Sequence, residues 1–145
     1  MEEKTLVLIK PDGIAQHIVG KIIDRFEGAK IEIVDMKMLT LTQELLNTWY
    51  AHHKDKPFFS SLCKFMMETP VVALVLQADN VVARVRDLIG PTDSTKAAKG
   101  TIRGDWGESK QKNLVHASDG VERAKFEIDL LFGKNCESGY CGGCC

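Results

Sequence analysis

The sequence lacks a charge imbalance of either sign. Its 145 residues carry 19 basic and 20 acidic side chains, for a formal net charge of −1. Binding to nucleic acid or to an anionic membrane generally uses a broad positive field, and this composition provides none. A small polyanionic ligand stays open, because it needs only a local convergence of lysine and arginine. We therefore expect neither nucleic acid nor a membrane as a partner.

Two targeting signals are also missing. The segment Met1–Lys4 has neither the basic part nor the apolar part of a secretory signal peptide. No apolar run approaches the roughly 20 residues that cross a bilayer. With 44% hydrophobic and 27% charged residues, the composition is that of an ordinary globular protein. We expect a cytoplasmic protein with one domain, since about two-thirds of the unfolded surface can be buried at this length.

Cysteine is scarce in the body of the chain. Cys63 stands alone there, and the other four are Cys136, Cys141, Cys144 and Cys145. A disulfide-stapled secreted domain would spread its cysteines through the core, so this pattern argues against one. We expect Cys63 to be buried as a small apolar side chain.

Residues 134–145 form a Cys/Gly-rich tail beyond the domain, which we assign to residues 1–133. Four thiols close together in sequence suit a soft-metal or redox site. The Gly/Ser content equally suits a flexible terminus. Both interpretations of the tail stay open.

Apolar periodicity predicts the element order β-α-β-α-α-β-α-β-α. Short apolar, β-rich runs predict strands over residues 5–9, 31–38, 71–76 and 113–116. Apolar residues at helical spacing predict helices over residues 18–26, 42–50, 58–67 and 81–89, and from 120 onward. Without the paired middle helices and the last helix, this order is a split β-α-β layout with an antiparallel four-stranded sheet.

Turn and cap residues punctuate these elements. Pro11–Gly13 predicts a turn after the first strand. Thr40 or Thr42 is the candidate N-cap of the helix predicted over residues 42–50. Asn80 is a candidate cap of the helix over residues 81–89. Residues 91–112 predict a long irregular loop, and ordered loops of that length are usually functional.

Several basic and polar side chains stand at element ends or in the long loop. A phosphate site needs fixed cations, hydroxyl or amide donors and a reactive group within reach. The candidates for such a site are Lys10, Arg86, Thr92, Arg103 and Asn113. Glycines on both sides of Arg103 allow a close backbone approach. Taken singly, each candidate is more simply a solvated surface residue, because lysine and arginine are mostly exposed.

His116 follows an apolar strand-like run and precedes a turn. An imidazole at a strand end can accept and release a group near neutral pH. Ser118 or Asp119 is a candidate cap of the following helix. Glu127 lies about two turns into that helix, where a carboxylate could fix one ring nitrogen and leave the other as a nucleophile. A lone histidine at a strand end is more often structural than catalytic. The support for a catalytic His116 therefore comes from the other candidate residues.

Four separated motifs resemble those of the nucleoside diphosphate kinase family, in that family's order and spacing. The motifs are Lys10–Gly13, Lys56–Phe59, Gly100–Asp105 and Asn113–Asp119. The resemblance covers roughly residues 5–132. It implies a ferredoxin-like α+β fold, with a four-stranded antiparallel sheet, helices packed on it and an extra C-terminal helix.

The resemblance also implies an activity. The γ-phosphoryl group of a nucleoside triphosphate, typically ATP, would pass to a nucleoside or deoxynucleoside diphosphate by a ping-pong mechanism. His116 would accept the phosphoryl group on Nδ1, while Glu127 and Ser118 hold the ring through Nε2. Lys10 would contact the transferring phosphoryl group and the ribose, and Tyr50 would lie beside the histidine.

The same resemblance implies the nucleotide contacts. Arg86, Thr92 and Arg103 would bind the β- and γ-phosphates, and Asn113 would contact the sugar. Phe58 would stack on the base, which suits any base because each one has a π face. The family likeness further implies a homo-oligomer, either a hexamer or a tetramer.

Mg²⁺ is the cofactor that the resemblance implies, bridging phosphates with Asp119 at most an indirect ligand through water. The chain departs from the family pattern at four positions, occupied here by His52, Asp93, Lys110 and Ala117. These departures motivate an alternative, a catalytically silent nucleotide-binding or interaction module. An RNA-binding domain of the same fold is excluded, since the predicted strands carry no aromatic residue.

Overall fold

The computed structural model describes residues 2–133, so the cysteine-rich tail and the hypotheses about it lie outside the described residues. Four strands are present in this range: β1 (Glu2–Ile9), β2 (Glu32–Leu39), β3 (Val71–Asp79) and β4 (Val115–Ala117). The helices are α1 (Pro11–Ala15), α2 (Val19–Gly28), α3 (Gln43–Trp49), α4 (Phe59–Met66), α5 (Val81–Ile89), α6 (Ile102–Trp106) and α7 (Val121–Phe132). None of these helices is long and apolar enough to span a membrane.

The strands form one antiparallel sheet in the order β2-β3-β1-β4. β3 is central and buried over Val71–Leu76, as its continuous apolar run predicts. β4 pairs only with β1, where His116 lies opposite Leu8. The predicted split β-α-β layout is confirmed, and the ferredoxin-like α+β fold with it.

Two apolar layers cover the two faces of this sheet. Val7 and Ile9 of β1 point to the layer that α2 and α5 complete, and Leu6 and Leu8 point to the layer of α3, α4 and α7. This alternation follows from the period of two along a strand. Each such large side chain contributes about 1.5–3 kcal/mol by leaving water. Cys63 is buried in the second layer, as predicted.

The segment 91–112 is more regular than we predicted. It contains a 3-10 turn, Ser94–Lys96, and the short helix α6. Thr101 caps α6 by accepting a hydrogen bond from the amide of Gly104. Gly104 is required there, because a Cβ would lie 1.9 Å from the carbonyl oxygen of Ala98. The predicted turn at Pro11–Gly13 is likewise the start of α1, with proline in its first turn.

Three predictions about the ends of elements need correction: the bounds of the last strand and the caps of α5 and α7. The last strand spans 115–117 instead of 113–116, because Leu114 takes a left-handed φ of 75°. Ser118 and Asp119 do not cap α7, whose N-cap is Gly120 without a side-chain hydrogen bond. Asn80 occupies the cap position of α5 in a left-handed conformation, and its side chain does not cap. Thr42, in contrast, caps α3 through the amide of Leu45.

Candidate active site

A cleft of about 310 Å³ opens beside β4 and the end of β1. Two groups of residues line it. We call the first the histidine wall, and it consists of Tyr50, His116, Arg123 and Glu127. We call the second the cationic wall, and it consists of Lys10, Arg86, Thr92, Arg103 and Asn113. The fold thus gathers these residues from four elements, β4, α5, α6 and α7, and from the connecting loops around one cleft.

His116 is held from α7. Its Nε2 lies 3.0 Å from both carboxylate oxygens of Glu127. An ionised carboxylate only accepts hydrogen bonds, so the shared proton belongs to Nε2 and the lone pair of the neutral ring lies on Nδ1. The side chain of His116 is 23% exposed, whereas that of Glu127 is fully buried. The predicted pairing of these two residues is present.

Glu127 also accepts hydrogen bonds from three further side chains. Ser118 Oγ donates to Oε1 at 2.6 Å, Trp49 Nε1 donates to Oε2 at 2.8 Å, and Arg123 Nε donates to Oε2 at 3.2 Å. Burial raises the pKa of this carboxyl, but hydrogen bonds from His116, Ser118 and Trp49 outweigh burial and hold the pKa below its ordinary value. Glu127 is therefore an ionised carboxylate at neutral pH.

One aromatic ring packs on the imidazole, and a second packs on that ring. The ring of Trp49 meets that of His116 edge to face, with centroids 5.2 Å apart and an interplanar angle of 88°. Tyr50 stacks on Trp49 at 5.5 Å. Burial raises the pKa of the Tyr50 phenol well above its ordinary value, so the hydroxyl stays protonated. Sequence reasoning placed Tyr50 here but missed Trp49, whose indole no motif singled out.

Lys10 is buried at the end of β1, with 7% of its surface exposed. Its ammonium donates to the carbonyl oxygen of Gln111 at 2.6 Å and to Asn113 Oδ1 at 2.8 Å. Burial lowers the pKa of Lys10 to about 8, which Asp12 opposes and Arg103 reinforces. This cation has no ion-pair partner among residues 2–133.

Arg103 is anchored by main-chain carbonyl oxygens. Its guanidinium donates to those of Gly90, Asn113 and Val115 at 2.9, 3.1 and 2.7 Å. Burial lowers the pKa of Arg103 to about 10, and the nearby charge of Arg86 acts in the same direction. Arg86 itself is exposed on α5. The two guanidiniums and Lys10 concentrate positive charge on one side of the cleft.

Asn113 organises the cationic wall. Its amide donates to the carbonyl oxygens of Thr92 and Lys110 at 3.0 and 2.9 Å and accepts from Lys10. Both amide hydrogens are thus used within the protein, and Asn113 is 4% exposed. Thr92 lines the cleft from an exposed position, as predicted for a hydroxyl donor.

Two predicted residues lie outside the lining of the cleft. Phe58 is 48% exposed and packs against the ring of His53 at 5.4 Å. Ser118 is buried and contacts Glu127 without contacting the imidazole. Asp119 does line the cleft. So do His52 and His53.

The departures from the family pattern fit their local structure. Ala117 lies in β4 and is not among the residues with positive φ, so alanine fits there without backbone strain. Asp93 caps the 3-10 turn by accepting hydrogen bonds from the amide and hydroxyl of Thr95. Lys110 is exposed, its carbonyl oxygen accepts a hydrogen bond from Asn113, and its charge helps to lower the pKa of Asp93.

Comparisons with known proteins agree with this fold and cleft. Residues 3–136 match the family model for nucleoside diphosphate kinase. The chain is 49% identical over 130 residues to the nucleoside diphosphate kinase of Staphylothermus marinus, covering 90% of this chain and 92% of that one. It is 47% identical over 133 residues to that of Campylobacter jejuni, covering 92% and 97%.

Solved structures of nucleoside diphosphate kinases share the fold. The Aquifex aeolicus enzyme superposes with a TM-score of 0.89 at 41% identity, covering 93% of this chain and 98% of that one. The Halobacterium salinarum enzyme, solved in complex with CDP, gives 0.89 at 39% identity, with coverages of 93% and 90%. These matches place the molecule among the phosphotransferases. The chain belongs to the nucleoside diphosphate kinase family.

Proposed function

We propose that this protein transfers the γ-phosphoryl group of a nucleoside triphosphate, typically ATP, to a nucleoside or deoxynucleoside diphosphate through a phosphohistidine at His116. The observation that carries the proposal is the Nε2–Glu127 contact of 3.0 Å in a cleft that the cationic wall also lines. That contact leaves the lone pair of Nδ1 available to an incoming phosphorus atom.

The reaction has two balanced steps. In the first, the Nδ1 lone pair attacks the γ-phosphorus, the bond to the β–γ bridging oxygen breaks, and the diphosphate leaves with that electron pair. In the second, a terminal β-phosphate oxygen of the acceptor attacks the phosphorus, and the electron pair of the P–N bond returns to Nδ1. Glu127 keeps the ring in one tautomer and supports its positive charge while it is phosphorylated.

The cationic wall supports the transferring group. Phosphoryl transfer asks a protein mainly for in-line positioning and charge stabilisation. Lys10, Arg86 and Arg103 would bind the phosphate oxygens, and Thr92 would add a hydroxyl donor. Asn113 would act by holding Lys10 and by presenting its remaining acceptor capacity to the sugar. Tyr50 would lie beside the imidazole with its hydroxyl protonated.

Base recognition would rest on Phe58, whose half-exposed ring packs against that of His53, a residue of the cleft lining. Lys110 stands where an aliphatic residue is common in the family, and its stem would serve as the other surface. Ser118 would act through Glu127, to which it donates at 2.6 Å.

Mg²⁺ fits this donor set as a nucleotide-borne ion. Among residues 2–133, no group of three His, Cys, Asp or Glu side chains gathers to hold a metal. Mg²⁺ commonly binds through substrate phosphates, waters and one or two carboxylates. Asp119, which lines the cleft, would hold the ion through water. The ion would supply charge neutralisation on the phosphates.

The decisive experiment incubates the protein with γ-labelled ATP and then with GDP. We expect acid-labile, alkali-stable label on the protein, its transfer to GDP, and its loss in His116→Ala. His17→Asn is the matched control, since His17 is exposed, lies outside the cleft lining and has a left-handed φ that asparagine tolerates. Label that persists in His116→Ala overturns the assignment. Tight ADP binding without exchange would favour the silent binding module.

Two further properties belong to this proposal. We propose that the protein assembles as a hexamer or a tetramer, which light scattering distinguishes by mass. We also propose a cytoplasmic location, which fractionation of cells from the source organism would test. A monomer in solution would contradict the proposed assembly, and a protein recovered outside the cytoplasm would contradict the proposed location. Neither result would bear on phosphoryl transfer through His116.

A further inference from the structure

Arg123 makes three contacts that the proposed chemistry has not used. Its Nε donates to Glu127 Oε2 at 3.2 Å, one helical turn along α7. Its Nη2 donates to the main-chain carbonyl oxygen of Trp49, and its guanidinium lies 4.7 Å from the ring centroid of Phe126. The side chain is 29% exposed and lines the cleft.

These contacts link the two elements that hold the imidazole. Trp49, at the end of α3, packs edge to face on His116 and donates to Glu127. Arg123, on α7, bonds both the carboxylate of Glu127 and the backbone of Trp49. One guanidinium therefore fixes the carboxylate and the aromatic neighbour of the same ring. A planar fork can make both contacts at once, whereas an ammonium is a single compact charge.

The charge of Arg123 matters as well as its shape. A buried carboxylate 3.0 Å from Nε2 stabilises the doubly protonated imidazolium, which has no lone pair on Nδ1. A guanidinium on the same carboxylate opposes that effect, because it places a positive charge beside a positive ring. The Arg123–Glu127 pair thus keeps the hydrogen bond to Nε2 while reducing the net negative charge behind it.

We propose that Arg123 is a positioning residue that neutralises Glu127 and so keeps His116 in its neutral, nucleophilic form. The proposal rests on the function proposed for His116, and it adds a residue that no motif of the sequence indicated.

Other titratable groups face the same imidazole and have to be separated from Arg123. From the loop after α3 come Tyr50, His52 and His53, and from the cationic wall come Lys10, Arg86 and Arg103. Asp119 lines the cleft from the turn before α7. The charge of Arg123 also lowers the pKa values of Tyr50 and His53. The comparison is therefore repeated in a His53→Gln background, while the hydroxyl of Tyr50 stays protonated throughout the pH series.

Three variants separate charge from shape. Arg123→Gln removes the charge and keeps a donor, and Arg123→Lys keeps a charge that can pair with Glu127 at i,i+4. Arg84→Gln is the matched control: Arg84 also bonds main-chain carbonyl oxygens, those of Asp79 and Ala29, but lies outside the cleft lining. Thermal unfolding of each variant records any general damage.

The first readout needs no catalysis. NMR of the His116 ring protons over a pH series should show the ring becoming protonated at higher pH in Arg123→Gln than in the unmodified protein. Arg123→Lys and Arg84→Gln should leave the titration in place. An unchanged titration in Arg123→Gln overturns the proposal, even if His116 is phosphorylated normally.

The second readout is the rate of phosphorylation by ATP. The rate of Arg123→Gln relative to the unmodified protein should be about 5- to 10-fold lower near pH 6 and should approach one near pH 9. A loss that is equal at every pH, shared by Arg123→Lys, would mean a merely structural role and would overturn the proposal. Absence of phosphorylation in the unmodified protein would instead contradict the proposed function and leave the NMR result to decide on Arg123.

Discussion

The two walls of the cleft are built in opposite ways. On the histidine wall, the buried carboxylate of Glu127 is satisfied by four side chains, and two of them, His116 and Arg123, can carry positive charge. On the cationic wall, Lys10 and Arg103 bond only carbonyl and amide oxygens and meet no carboxylate within hydrogen-bond distance among residues 2–133. In the histidine wall, positively charged partners therefore compensate the carboxylate. In the cationic wall, no carboxylate among residues 2–133 forms an ion pair with Lys10 or Arg103.

This difference separates two tasks. A nucleophile needs one orientation and one protonation state, which a fully satisfied network supplies before the substrate arrives. Phosphate binding needs uncompensated cations, which carbonyl anchors can hold in place without cancelling their charge. Neutral anchors such as Asn113 Oδ1 therefore suit Lys10 better than a carboxylate would. Substitutions in the histidine wall should accordingly affect phosphoenzyme formation, and substitutions in the cationic wall should affect nucleotide binding.

The largest effect should come from removing the carboxylate of the histidine wall. Glu127→Ala leaves the buried N–H of Trp49 and the hydroxyl of Ser118 without their acceptor and Arg123 without its countercharge. We expect a loss of about 3–5 kcal/mol in the free energy of unfolding. Urea denaturation measures it, with phosphoenzyme formation below detection in the folded fraction. A Glu127→Ala variant that is stable and active would contradict the conclusion that the buried donors of the histidine wall depend on this carboxylate.

Next in size is a contrast within the cationic wall. Arg103→Met removes three charged hydrogen bonds to main-chain carbonyl oxygens and should lower the free energy of unfolding by about 2–3 kcal/mol. Arg86→Met, at an exposed position without a side-chain hydrogen bond among residues 2–133, should change it by less than about 0.5 kcal/mol. Both should weaken ADP binding in calorimetry. Equal stabilities for the two variants would contradict the anchoring described for Arg103.

A smaller effect should appear on raising the pH. Burial lowers the pKa of Lys10 to about 8, so its ammonium is charged below that pH and neutral above it. The dissociation constant for ADP should therefore rise as the pH increases through about 8. In Lys10→Gln the binding should be weaker throughout, without this alkaline loss. Calorimetry at several pH values compares the two, and an identical alkaline loss in Lys10→Gln would assign the effect elsewhere.

The lowered pKa of Lys10 has a matching consequence for stability. Since the unfolded chain takes up the proton more readily than the folded one, ionisation of Lys10 opposes folding at neutral pH. That opposition disappears as the pH rises from about 8 toward the ordinary lysine pKa of 10.5. A bound polyphosphate should relieve it at neutral pH by pairing with the ammonium.

The smallest effect concerns the residue after the histidine. Ala117 lies in β4 with ordinary strand geometry and is 9% exposed. Ala117→Gly should lower the free energy of unfolding by about 0.5–1 kcal/mol, because glycine loses more backbone entropy on folding. Turnover should stay within about 2-fold, since the side chain makes no polar contact. A large gain in activity would show that alanine strains the site.

The sheet was predictable because its signals are local. The apolar run Val71–Leu76 and the alternation along β2 depend on few neighbours, and both strands appear where predicted. The pairing of His116 with Glu127 was predicted as a candidate, and the family resemblance supported it. Helical periodicity only permitted an inward-facing Glu127, and the contact of 3.0 Å shows it. Three of the four motifs contain Lys10, Arg103 and Asn113 of the cationic wall, which converge although they lie far apart in sequence.

What the sequence could not predict depends on tertiary contacts. Nothing local shows that the indole of Trp49 reaches Glu127, 78 residues away, or that Arg123 bonds the backbone beside it. Helix α6 was missed because it is one short turn stabilised by the Thr101 cap and the close approach of Gly104 to Ala98. The left-handed φ of Leu114, which delays the start of β4 from residue 113 to residue 115, has no sequence signal either.

The most direct test of the contrast between the walls asks which ring nitrogen carries phosphorus. The phosphoenzyme is formed with ATP, unfolded at alkaline pH where phosphohistidine survives, and analysed by phosphorus NMR against histidine phosphorylated at known positions. Because Glu127 occupies Nε2 at 3.0 Å, the account predicts phosphorylation on Nδ1 alone. Phosphorus on Nε2 of His116, or on a residue other than His116, would contradict it.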